Sequence, residues 1–195
     1  DVDNLAATIK SAVDEVVRRQ VETGVDIVSD GEMSKISYAT YIKDRITGFA
    51  GDSERNPPAD LEEFPGFLAR QASSGGTPSY KRPCCVGEIA VKDMEPLEED
   101  LANFNAAVQQ HGAAEGFMNA ASPGVIALFQ PNKHYSNHSD YLQALGDAMR
   151  AEYEAIVNAG FILQLDSPDL GLGRHMLFKD KPEEEYIAMA NLHVE

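Results

Sequence analysis

The chain has 195 residues, enough for one medium domain or two small ones and long enough to bury about 70% of its unfolded surface. Acidic residues number 32 against 16 basic ones, a formal charge of -16, so its field repels phosphate backbones and anionic lipid headgroups. Nucleic acid and membrane partners are therefore not expected. No apolar run nears the roughly 20 residues a bilayer span needs, and no signal-peptide pattern is present. The adjacent pair Cys84-Cys85 offers no disulfide framework and suits a reducing, cytoplasmic setting.

Taken in chain order, Ile9, Val13, Val16 and Val17 follow a helical period, predicting a helix over 4–23 that stops at Gly24. Val25 to Ser29 then reads as a short strand delivering Asp30-Gly31-Glu32 into a loop. Residues 51–82 are rich in Pro and Gly and read as a long insertion loop, with one short helix near Leu61 to Gln71. Cys84 to Val91 suits a buried strand, and Leu97, Leu101, Phe104 and Val108 mark a helix over 96–111. Gly116 to Ala121 reads as the next strand, turned by Ser122-Pro123-Gly124. Tyr141, Leu145, Met149, Tyr153, Ile156 and Val157 form one helix face that ends at Gly160, before a fourth strand, Phe161 to Asp166. Pro182-Glu183-Glu184-Glu185 opens a last helix, acidic where the helix dipole favours anions.

Continuous apolar strands separated by helix-sized segments argue for parallel β/α units covered by helices. No Gly-rich nucleotide fingerprint follows any strand, so a barrel is favoured. Four strands cannot close a (β/α)8 barrel, which needs about 250 residues. The expectation is an α/β fold in which 1–195 form the central portion of one TIM barrel domain, about strands two to five with their helices. The open sheet edges of such a piece predict self-association.

Active sites of β/α barrels lie at the strand C-termini. The polar residues just past the strands are Asp30 and Glu32, then Glu88 and Lys92, then Asn119 and Ser122, then Asp166 and Asp169. Carboxylates dominate, which suits a substrate ammonium, a metal, or a buried general acid or base. Asp30-Gly31 also fits plain turn chemistry, and Asp166 before Ser167-Pro168 also fits a helix cap. His134 and His138 have a metal-compatible spacing on a helix, but Ser136 and Asn137 are N-cap types that place both histidines outside one. Arg174-His175 suits either an anion-binding loop or a surface loop.

These residues carry a resemblance. The stretch from Ala12 to Gln20, followed by Gly24 to Glu32, resembles the helix, strand and Gly-Glu segment of the cobalamin-independent methionine synthase family. Ala159 to Leu170 is similar to its Gln-Ile-Asp-Glu-Pro segment, with Ser167 in place of the Glu, and Ser122 to Val125 stands where that family has Thr-Gly-Pro-Val. The likeness is strongest to single-barrel relatives.

The resemblance implies a zinc-dependent methyltransferase moving a methyl group from a folate-like donor to a thiol such as homocysteine, or a related alkyltransferase acting on a thiol such as coenzyme M. It implies that Glu32 and Asp166 bind the substrate ammonium, with Asp30 and Ser122 as further candidates. The family's zinc-binding His-x-Cys pair is absent from this sequence, so the zinc ligands are expected outside the chain, and no catalytic or metal residue is assigned within it. The family's Trp after the Gly-Pro-Val turn is also absent, since the chain contains no Trp. A metal-free small-molecule-binding barrel remnant is the alternative of a different class.

Overall fold

A computed structural model describes residues 2–53, 59–73 and 82–195. Helix α1 (Val2–Glu22) leads into β1 (Ile27–Ser29) and a 3-10 turn over Thr40–Asp44. Next come β2 (Phe49–Ala50), α2 (Ala59–Glu62), α3 (Pro65–Ser73) and β3 (Cys84–Cys85). The chain continues through α4 (Glu95–His111), β4 (Glu115–Ala121), α5 (Pro123–Phe129) and α6 (His138–Asn158). It ends with β5 (Ile162–Asp166), α7 (Asp169–Leu172) and α8 (Glu183–Val194).

The central sheet is parallel in the order β1-β4-β5, with Ser29 paired to Phe117 and Ala121 to Asp166. All three strands therefore end on one rim. The helical spacing in α1 buries Val13 and Val17 against Leu97 and Phe104 of α4 and against Val28, Met118 and Ala120 of the sheet. Phe104 stacks on Phe161 at 4.5 Å between centroids. A second core joins Tyr141, Leu145 and Met149 of α6 to Val125 and Ile126 of α5 and to Ile42 and Ile46. Asn137 caps α6, its side-chain oxygen accepting the Asp140 N–H at 2.9 Å.

The architecture is the expected mixed α/β piece of a barrel, with no closed barrel and with three parallel strands among the described residues. The fourth expected strand, Cys84 to Val91, does not join that sheet. Only Cys84–Cys85 are extended, and they pair antiparallel with Phe49–Ala50. The reason lies at Gly48, whose φ is +91° and where an added Cβ would stand 2.7 Å from the Gly87 carbonyl. Two backbones cross closely there, so the segment forms a flap instead of a barrel strand. Consequently Glu88 and Lys92 do not stand at a parallel-strand terminus.

Where one helix is expected near Leu61 to Gln71, the structure holds α2 and α3; residues 54–58 and 74–81 of the 51–82 excursion lie outside the described residues. His138 also differs from expectation. With Asn137 as the cap, it becomes the first residue of α6, whereas His134 packs edge-on against Tyr135 in the preceding loop. No described helix is long and apolar enough to cross a membrane.

Candidate functional site

The loop after β1 is built on an Asx turn. Asp30 is buried, and its Oδ1 accepts the Glu32 N–H at 3.1 Å, as the turn-chemistry reading of Asp30-Gly31 anticipates. That turn places Gly31 at φ +66° and Glu32 at φ +54°, and Glu32 is the one described non-glycine residue with positive φ. Side chains disfavour this left-handed region, so the conformation needs support from its surroundings. Support comes from Lys35. Its backbone N–H donates to the Glu32 carbonyl at 3.0 Å, and its Nζ stands 3.4 Å from Glu32 Oε1.

Lys35 also reaches across to the central strand. Its Nζ donates to the Asn119 carbonyl of β4 at 2.6 Å and lies 4.7 Å from the centre of the Tyr41 ring. Asn119 then turns its side chain the other way and donates Nδ2 to both Asp166 oxygens, at 3.1 and 3.3 Å. Gln164 adds a bond to Asp166 Oδ1 at 2.9 Å. Glu32 and Asp166 are thus brought to one rim, linked through Lys35 and Asn119. Neutral amides hold Asp166, so its charge is oriented without being cancelled.

Ser122, just past β4, is committed elsewhere. Its Oγ accepts the Val125 N–H at 3.2 Å as the cap of α5 and donates to Asp169 Oδ1 at 3.2 Å. Asp169 passes the chain on through Oδ2, 2.7 Å from His193 Nδ1, and His193 Nε2 lies 2.8 Å from His138 Nε2. This row ties α5, α7, α8 and α6 together behind the rim. Beside it opens a groove of about 780 Å³, lined in part by Ser122, Tyr153, Leu165 and His193.

Beneath the rim runs a buried charged layer. Tyr41 donates its hydroxyl to Glu152 Oε1 at 2.5 Å and accepts the Ala121 N–H at 3.2 Å. Arg45 pairs with Asp100 at 2.5 Å and with Glu152 at 3.0 Å. Burial and the neighbouring Glu152 charge push the Tyr41 phenol well above its ordinary value, so it stays a neutral donor. Burial likewise raises the Asp100 carboxyl, against the opposing pull of Arg45.

Sequence reasoning placed Asn119 at a strand end but gave it no role, and it passed over Lys35 and the His138–His193 pair. A polar residue at a strand terminus was a usable signal for Asn119. The other contacts join residues whose proximity only the folded chain creates. Arg174 is occupied by its own loop, Nη1 donating to the Phe178 carbonyl at 2.8 Å. Among the described residues no group of three His, Cys, Asp or Glu side chains could hold a metal ion.

No family model matches the chain. It is 27% identical over 169 residues to a methionine synthase of Saccharolobus solfataricus, covering 86% of this chain and 45% of the relative. Against a methionine synthase of Sulfolobus acidocaldarius the identity is 25% over 167 residues, covering 85% and 43%. Among solved structures, a B12-independent methionine synthase from Shewanella sp. W3-18-1, in complex with selenomethionine, superposes with a TM-score of 0.69 at 18% identity. That match covers 99% of this chain and 50% of the other. The resemblance to the methionine synthases is borne out: the chain is similar to them over most of its length and spans about half the length of the relatives it matches.

Proposed function

We propose, from this kinship with the methionine synthases, that the chain supplies the amino-acid-gripping rim of a cytoplasmic thiol methyltransferase. The substrate is a thiol amino acid such as homocysteine, and the methyl donor a folate-like molecule. The observation that carries the reading is the placement of Glu32 and Asp166 at the C-terminal ends of β1 and β5, flanking β4 and tied through Lys35 and Asn119.

An ammonium group offers three N–H donors and one positive charge, and carboxylates satisfy both requirements. Charge-assisted bonds of this kind orient as well as bind, and holding a sulfur in a near-attack position is a large part of what a transfer enzyme contributes. Asp166 is held by the Asn119 and Gln164 amides and Glu32 by Lys35, so neither carboxylate has to reorganise when the ligand arrives.

The zinc implied by the resemblance finds no ligand set among the described residues. The role of these residues is to bind and orient the substrate.

Titration calorimetry with L-methionine, the product form of such a substrate, tests the reading. Wild-type chain is expected to bind, and Glu32→Gln and Asp166→Asn each to weaken binding roughly tenfold or more, the worth of one charge-assisted hydrogen bond. No binding by the wild-type chain, or wild-type affinity in both variants, overturns it.

A further inference from the structure

We propose that Lys35 is the positioning residue that sets the Glu32 carboxylate at the rim, acting from within the protein without touching the ligand. The inference rests on the reading above and deepens it, because it says what makes Glu32 available to an ammonium.

The Lys35 side chain is 3% exposed, whereas that of Glu32 is 34% exposed. An ammonium has three N–H donors, and Lys35 faces three electron-rich partners: the Asn119 carbonyl, Glu32 Oε1 and the face of Tyr41. No donor remains for a ligand. The buried charge is also costly unless satisfied, which holds the side chain against these partners.

Lys35 grips Glu32 twice, through its backbone N–H on the Glu32 carbonyl and through Nζ on the carboxylate, while Asp30 accepts the Glu32 N–H from the other side. This double hold stabilises a residue in a conformation it would otherwise leave. Because the same Nζ is bonded to β4, the Glu32 carboxylate is registered against the strand whose Asn119 side chain orients Asp166.

The test is a double-mutant cycle read by L-methionine binding to the full chain. Lys35→Met is expected to weaken binding roughly tenfold, as Glu32→Gln does, and the double variant to bind no more weakly than Glu32→Gln alone. Additive losses would show Lys35 acting independently of Glu32 and would overturn the proposal, as would wild-type affinity in Lys35→Met. A second measurement needs no ligand. Amide hydrogen exchange over residues 31–35 is expected to accelerate in Lys35→Met while exchange in β4 and α4 keeps its wild-type rate. Unchanged exchange in the 31–35 loop would overturn the brace even if binding changed. Absence of binding by the wild-type chain would instead sink the functional reading, leaving the exchange measurement to decide the role of Lys35.

Discussion

Asn119 donates its side-chain amide to both oxygens of Asp166 while its backbone carbonyl accepts Lys35 Nζ. One residue of the central strand thus fixes the carboxylate of one neighbouring strand and the cation that serves the other. Its position is set by register: Asn119 pairs with Gln164, two residues before Asp166.

Replacing Asn119 with Ala removes the side-chain half of that arrangement and leaves the backbone half intact. The Lys35 bond to the carbonyl persists, so the loop after β1 keeps its place. The expected stability loss is modest, about 1 kcal/mol for the lost side-chain bonds. L-methionine affinity is expected to fall roughly tenfold, because among the described residues the Asp166 carboxylate then keeps Gln164 alone. Urea denaturation and calorimetry on the same sample separate the two effects. A large stability loss with unchanged affinity would assign Asn119 to the fold alone.

The Arg45 network makes a different prediction, about folding. Arg45, just past the 3-10 turn, is 5% exposed and stands between Asp100 of α4 at 8% and Glu152 of α6 at 3%, residues far apart in sequence. Arg45→Met keeps the apolar volume but strands two carboxylates without their cation. Breaking a buried pair from one side costs about 3 to 5 kcal/mol, much of it the penalty of the charge left behind. The urea midpoint is expected to drop accordingly. Arg45→Met combined with Asp100→Leu and Glu152→Met is expected to recover part of that loss, since no uncompensated charge remains. If the triple variant is less stable than Arg45→Met, the charged layer contributes more than mutual compensation.

Much of the fold was legible because periodicity reports directly on burial. The 3.6-residue spacing of Val13 and Val17, or of Tyr141, Leu145 and Met149, exists because those positions face a core, and the structure buries each of them. Gly24 and Gly160, both at positive φ, follow the helices they were expected to end. The segment from Cys84 to Val91 misled for an instructive reason. Cys84, Cys85 and Ile89 are buried, as in a strand, but Val86 and Val91 are half-exposed, and the burial comes from a flap that packs partly on α6. An apolar run states that a segment is covered, not by what. The site divides the same way. The rim positions of Glu32 and Asp166 were legible from their places after strands, whereas Lys35 lies 84 residues from Asn119 and bonds it through a contact with no linear signature.

The two imidazoles behind the rim set an acid limit on stability. His138 Nε2 and His193 Nε2 face each other at 2.8 Å, a distance that admits one proton between two lone pairs and repels a second. His193 already presents its other nitrogen to Asp169. Burial first, and then the neighbouring His193, depress His138 to about 4, with the Asp169 charge opposing. In the unfolded chain the same imidazole titrates near its ordinary value of about 6.5. As pH falls, the unfolded chain therefore takes up this proton before the folded one does. The stabilisation is complete above about pH 6.5 and is lost progressively as the pH falls towards 4. His138→Gln cannot take up that proton, so its urea midpoint is expected to fall less steeply than that of wild type between pH 7 and pH 4.5. The carboxylates titrating in the same window are common to both proteins, so the difference reports on the His138–His193 pair. A constant gap between the two curves across that range would show that protonation of His138 is not what weakens the wild-type fold in acid.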